Sequence, residues 1–177
     1  MDSSSSIKLG AFCDRVNVDE REVRYILERG FVPDGVRKSP ATGNHRTFDP
    51  GQAFWLAMVL KLKQSGMKTP LAASVADYAT EALRGITQNL GWDWRFMPAK
   101  GWFDTEHLYF VDVGDLQYVR LVTNACPSQE RLYEFDWHPV QGKREPVKNA
   151  EPYVIVRLDL TRIARLFRDV PGWSRPE

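Results

Sequence analysis

Between Val18 and Phe48 the chain concentrates Arg21, Glu22, Arg24, Tyr25, Arg29, Arg37, Lys38, His45 and Arg46. Arginine forks, lysine ammonium groups and phenolic hydroxyls are the donors that grip phosphate oxygens, and Arg or Glu side chains can read base edges. The chemistry this set could perform is therefore contact with a nucleic-acid backbone and groove. A plainer description also fits. Helices rich in Arg and Glu are often solvated surfaces, and Arg24–Glu28 has the i,i+4 spacing of a local ion pair.

Two other groups could carry chemistry. Glu134, Asp136 and His138 alternate with Phe135 and Trp137, and with His107 they could form an acid-base or metal site. The alternation equally describes a strand with one wet face and one face on the core. No nucleophile motif, Gly-rich phosphate loop or His-x-x-x-His spacing accompanies them, so no enzyme, metal or cofactor is expected. Trp92, Trp94, Trp102 and Trp137 could line an effector pocket, fill a small core or form an oligomer interface; the last two are preferred. Cys13 and Cys126 stand far apart in no paired spacing. Cys13 is expected in the core, and a reduced, cytoplasmic setting fits best.

The elements that must position the phosphate-binding set follow from local pattern. Residues 1–6 read as a disordered, Ser-rich lead-in, with Ser6 available to cap a first helix carrying Leu9, Phe12, Cys13 and Val16. Asn17-Val18 breaks that helix. Asp19 caps the next, with Glu22 three positions on completing a capping-box-like pair. In this helix, about 19–29, Val23, Ile26 and Leu27 share one face and the arginines and Tyr25 take the others. Gly30 and Pro33 end it. Residues 35–48, with Gly35, Pro40, Gly43 and Asn44, favour a hairpin or wing. Asp49-Pro50 starts a helix to about Ser65 that is apolar on nearly every face. After Gly66, Thr69-Pro70 starts another helix of about 15 residues.

From about Gly101 the pattern changes to period two. His107–Val113, Tyr118–Thr123, Arg131–Trp137 and Tyr153–Leu158 read as strands, followed by an amphipathic helix, Thr161–Val170. The fold class expected is a mainly α N-terminal unit, 7–84, followed by a small α+β unit, 85–177, with a mostly antiparallel sheet.

Composition narrows the classes. The chain has 177 residues, 43% hydrophobic and 27% charged, with a net charge of +1. Those fractions belong to an ordinary globular protein with a sizeable core. Splitting the sequence at Arg84 leaves both parts near neutral, so attraction to DNA must come from where charge is placed. The longest strongly apolar run, Ala53–Leu60, is far too short for a bilayer span, and the N-terminus has no signal-peptide pattern.

The order helix, turn, helix, wing, helix, helix resembles the DNA-binding domain of the MerR family and the related excisionase-like winged helix-turn-helix proteins. Leu9-Gly10-Ala11-Phe12-Cys13 is similar to the family's first helix. Val23-Arg24-Tyr25 is similar to the Leu-Arg-Tyr of its recognition helix, and Gly30-Phe31-Val32-Pro33 to the Gly-Leu-Leu-Pro that closes it. Gly43 to Phe48 resembles the wing motif, and Gly66-Met67 the Gly-Met between the last two helices. Asn17 stands where the family has Gly, Ile26 replaces a second aromatic, and the wing carries one extra residue. The family's long dimerisation helix has no counterpart in the pattern from Pro70.

The resemblance implies a sequence-specific, double-stranded-DNA-binding transcriptional regulator. Arg24 and Arg46 would hold phosphates, Tyr25 would touch the backbone, Arg21 with Glu22 would lie nearest base edges, and Arg37, Lys38 and His45 would extend the wing contact. A homodimer is expected, through the β-rich half or the 70–84 helix, since one such unit reads only a short half-site. A small-molecule effector is compatible but has no support in the residues. The alternatives are an excisionase-like architectural recombination factor and a protein-interaction module built on the same scaffold.

Overall fold

The computed structural model describes residues 6–33, 46–89, 107–112, 117–123, 133–137 and 154–171. The expected wing residues 35–45, with Arg37, Lys38 and His45, lie outside them, as do residues 1–5, Trp92, Trp94, Trp102, Cys126 and His138. In chain order the elements are β1 (Ile7–Lys8), α1 (Leu9–Val16), α2 (Glu20–Glu28), β2 (Thr47–Phe48), α3 (Pro50–Gln64) and α4 (Thr69–Asn89). These are followed by β3 (His107–Asp112), β4 (Gln117–Thr123), β5 (Tyr133–Trp137), β6 (Val154–Asp159) and α5 (Leu160–Arg165).

Three helices end in left-handed backbone, each at a position the sequence marks. Asn17 adopts φ 57° and ψ 61°, and the Val18 N–H reaches back to the Cys13 carbonyl at 3.1 Å. Asparagine tolerates this region better than any other side chain, so Asn17 makes the turn that glycine would make. After α2, Gly30 (φ 89°) donates to Leu27 O and Phe31 to Ile26 O. After α3, Gly66 (φ 96°) donates to Lys63 O and Met67 to Leu62 O. Both are Schellman closures, and Phe31 and Met67 pack against the core as that motif requires.

α3 is the central helix. Asp49 and Gln52 form a reciprocal capping box with Pro50 at the first helical position, so its start is fixed by local chemistry. Ala53 through Leu60 and Leu62 are all buried. It packs on α4 and also meets α5, β6 and β2. Each fully buried large side chain there contributes about 1.5–3 kcal/mol. α4 runs for 21 residues, longer than the 15 expected, because the helix continues through Gly85 to Asn89. It thereby crosses the expected unit boundary at 84/85.

The four later strands form one antiparallel sheet in the order β5-β4-β3-β6. Their bounds fall within one to two residues of the period-two runs. The last helix is shorter than expected: after Arg165 the chain continues in tight turns to Val170. Ile163, Ala164, Phe167 and Val170 are nonetheless buried, as the spacing requires. A single hydrophobic cluster joins Phe12, Val23, Phe48 and α3 to Val119, Leu158 and Phe167. Phe12 sits between Phe48 (ring centroids 5.3 Å) and Phe167 (5.9 Å, stacked at 11°). Arg15 ties the same contact from outside, donating to Leu166 O at 2.8 Å and pairing with Asp169. That pairing holds the exposed Asp169 carboxyl below its ordinary pKa.

The start of α1 differs from expectation. Ser6 does not cap it; Lys8 occupies the N-cap position without a side-chain bond. Residues 7–8 instead pair antiparallel with 47–48, Ile7 opposite Phe48 and Lys8 opposite Thr47. The pairing also lets the Leu9 N–H, at the first helical position, donate to the Arg46 carbonyl. No helix among the described residues is long and apolar enough to cross a membrane.

Candidate nucleic-acid interface

α2 turns Val23, Ile26 and Leu27 into the core and leaves the rest of its circumference outside. Its start is fixed by Asp19, whose carboxylate accepts the Arg21 N–H at 2.6 Å. The exposed residues are Glu20, Arg21, Arg24, Tyr25 and Glu28, with Arg29 at the C-cap. Tyr25 is 48% exposed, one of three large hydrophobic side chains so open among the described residues. Arg29 lies over its ring, 5.0 Å from the centroid. A cation on an aromatic face one turn away pre-orders both groups while leaving their donors outward.

Arg24 pairs with Glu20 at 3.0 Å, not with Glu28. Both choices have i,i+4 spacing. The Glu–Arg order with the acid nearer the helix N-terminus suits the dipole, which places Glu20 where negative charge is stabilised. Glu28 is thereby left to act on Arg46. Arg46 is half-buried just before β2, and its carbonyl accepts the Leu9 N–H at 2.9 Å. Burial pulls its guanidinium pKa below the ordinary value; Glu28 opposes this and Arg24 adds to it. An arginine keeps its charge through such a shift. Arg24, Glu28 and Arg46 thus share one electrostatic neighbourhood, with Nε and Nη1 of Arg46 buried.

Glu22 lies elsewhere. Its carboxylate accepts Lys63 Nζ at 3.0 Å, and both side chains are partly buried. It neither completes a capping box with Asp19 nor joins the exposed face of α2. Its function here is to hold α2 against the last turn of α3. Nothing in local spacing pointed to Lys63, 41 residues away.

Of the expected contact residues, then, Arg21, Arg24, Tyr25 and Arg29 share the outer side of α2, and Arg46 lies within electrostatic reach of Arg24. Cys13 is a core residue: burial pushes its thiol up to about 11, with Glu20, Asp14 and Asp19 adding and Arg24 opposing. A thiol so raised stays protonated and inert at neutral pH. In the sheet, backbone register makes Glu134 the partner of Val122, and Val122 the partner of His107. Among the described residues no cluster of three or more His, Cys, Asp or Glu could hold a metal ion. No protein-family model, curated protein or solved structure matches this chain.

Proposed function

We propose that this chain is a sequence-specific, double-stranded-DNA-binding regulator of the winged helix-turn-helix kind. In it α2 enters the major groove and the 35–48 segment lies along the backbone or minor groove. The observation that carries the reading is the outer side of α2, three arginines and an open tyrosine, with Arg46 within electrostatic reach of Arg24. Arg24 and Arg46 are the phosphate anchors, Tyr25 and Arg29 form an ordered second contact, and Arg21 is nearest base edges. The left-handed Asn17 supports the same reading, since it supplies the turn at which the family's glycine stands.

Useful specificity requires two copies on DNA. Among the described side chains of α4 the exposed ones are Pro70, Asp77, Glu81 and Arg84. Val154 and Ile155, 50% and 55% exposed, lie on β6 at the end of the sheet order. The sheet is therefore the better candidate for a homodimer contact.

The test is binding to duplex DNA across a salt series with the double variant Arg24→Glu/Arg46→Glu, its fold checked by circular dichroism. Loss of binding by at least about a hundredfold is expected, since two charge-assisted contacts become repulsive. Unchanged binding by a folded variant sinks the proposal. Selection from a random DNA pool then reads the assembly. An inverted repeat supports a dimeric regulator, and direct repeats favour the architectural role.

A further inference from the structure

Arg162, Arg165 and Arg168 recur at every third residue through α5 and the turns that follow, and all three are exposed. Ile163, Ala164 and Phe167 between them are buried. Leu166 N–H donates to Ile163 O, Phe167 to Ala164 O and Arg168 to Arg165 O. Arg162 and Arg165 are neighbours one turn apart on α5, and in the i to i+3 turns that follow residues three apart eclipse, which sets Arg168 about 6 Å beyond Arg165. The arginines thus form one ridge. Arg15, Arg24 and Lys63 all have carboxylate partners; the three ridge arginines have none among the described residues. Offsetting the helix dipole accounts for cations at Arg162 and Arg165, in the last turn, but not for Arg168, three residues past it.

The geometry points to this ridge as a second surface for the phosphate backbone of the duplex that α2 engages. The inference rests on the DNA-binding reading above. Three unpaired guanidinium groups in a chain of net charge +1 are a local concentration that complements a polyanion, and arginine's planar fork suits phosphate oxygens. The ridge is also fixed relative to α2. Asp169, next to Arg168, is held by Arg15 in the last turn of α1, Leu166 O accepts from the same guanidinium, and Phe167 stacks on Phe12. α1 passes through Asn17 directly into α2. The ridge is therefore held rigidly with respect to α2, so a duplex that touches both needs no further ordering of the chain. Backbone contact of this kind adds affinity and salt dependence without reading sequence.

The experiment compares the full chain, Arg162→Gln/Arg165→Gln/Arg168→Gln and Arg24→Gln/Arg46→Gln on a mixed-sequence duplex several helical turns long, across a salt series. Phosphatidylserine vesicles serve as a second probe. The ridge variant is expected to flatten the slope of log K against log salt by about 2–3, since each phosphate no longer neutralised removes about 0.9, and to weaken all sequences by the same factor. If the ridge variant keeps the wild-type slope while the α2 variant loses binding, the inference is overturned and the DNA reading stands. If the ridge variant flattens the slope and the α2 variant does not weaken binding, the ridge holds and the assignment of α2 falls. No duplex binding by the wild-type chain overturns both. Wild-type duplex binding by a ridge variant that no longer binds vesicles overturns the inference in favour of an anionic membrane.

Discussion

α2 and α3 are joined by the Glu22–Lys63 bridge yet treat their surfaces in opposite ways. α3 is buried on nearly every face from Pro50 to Leu62, while α2 buries only Val23, Ile26 and Leu27. A helix enclosed on all sides has no surface left with which to bind. A helix held by a three-residue stripe, two turn residues and one bridge keeps most of its circumference free, and its orientation depends on those few points. On the proposed function, stability and recognition are therefore separable: the first should respond to α3 and the second to α2.

The strongest test of that separation is Phe54→Ala in α3. Its side chain is 2% exposed, and truncating a buried Phe costs about 3–5 kcal/mol. Urea unfolding should show a loss of that size, with DNA affinity of the remaining folded fraction unchanged. A specific loss of affinity in folded protein would break the comparison. A smaller effect is expected at the entrance to α2. Asn17→Ala forces a β-carbon of alanine into left-handed backbone without a compensating polar side chain and should cost about 1–2 kcal/mol. Asn17→Gly should be neutral or slightly stabilising in the same measurement, and an equal loss for both would show that the asparagine side chain, not the turn, matters. The smallest effect belongs to the bridge. A double-mutant cycle on Glu22→Gln and Lys63→Met should give a coupling of about 0.5–1 kcal/mol in stability. Because the bridge aims α2, the same variants should alter the sequence preference of bound DNA more than its salt slope. A change in slope alone would mean that Glu22 faces the duplex after all.

These cases also show what was legible in the sequence. Features encoded within four or five residues were readable: the Asp49-Pro50 start, the Gly30 and Gly66 stops, the buried face of α2, and the strand bounds from period two. Features set by distant partners were not. Ser6 looked like a cap because nothing local revealed that Ile7 pairs with Phe48. Glu22 looked like a capping or base-reading residue because Lys63 lies on another helix. Arg24 had carboxylates four residues away on both sides, and spacing alone does not choose between them. The ridge of Arg162, Arg165 and Arg168 was visible as letters, but its exposure and lack of partners depend on how α5 docks. The α2 face was legible for the opposite reason, since one helix with its own apolar stripe defines its own outside.

The Phe12–Phe167 stack has a consequence for how the chain is made. Its partners are 155 positions apart, so the contact closes a very long loop of chain. Contacts between such distant positions form late and slow folding. A nascent chain that has completed α1 to α4 still leaves one face of Phe12 without its cover until the last helix emerges. During that interval it presents apolar surface to chaperones and to other chains. A fragment ending after α4 would carry the whole outer side of α2 and yet remain in that unfinished condition. Synthesis of the final turns is the step that seals the helix preceding α2.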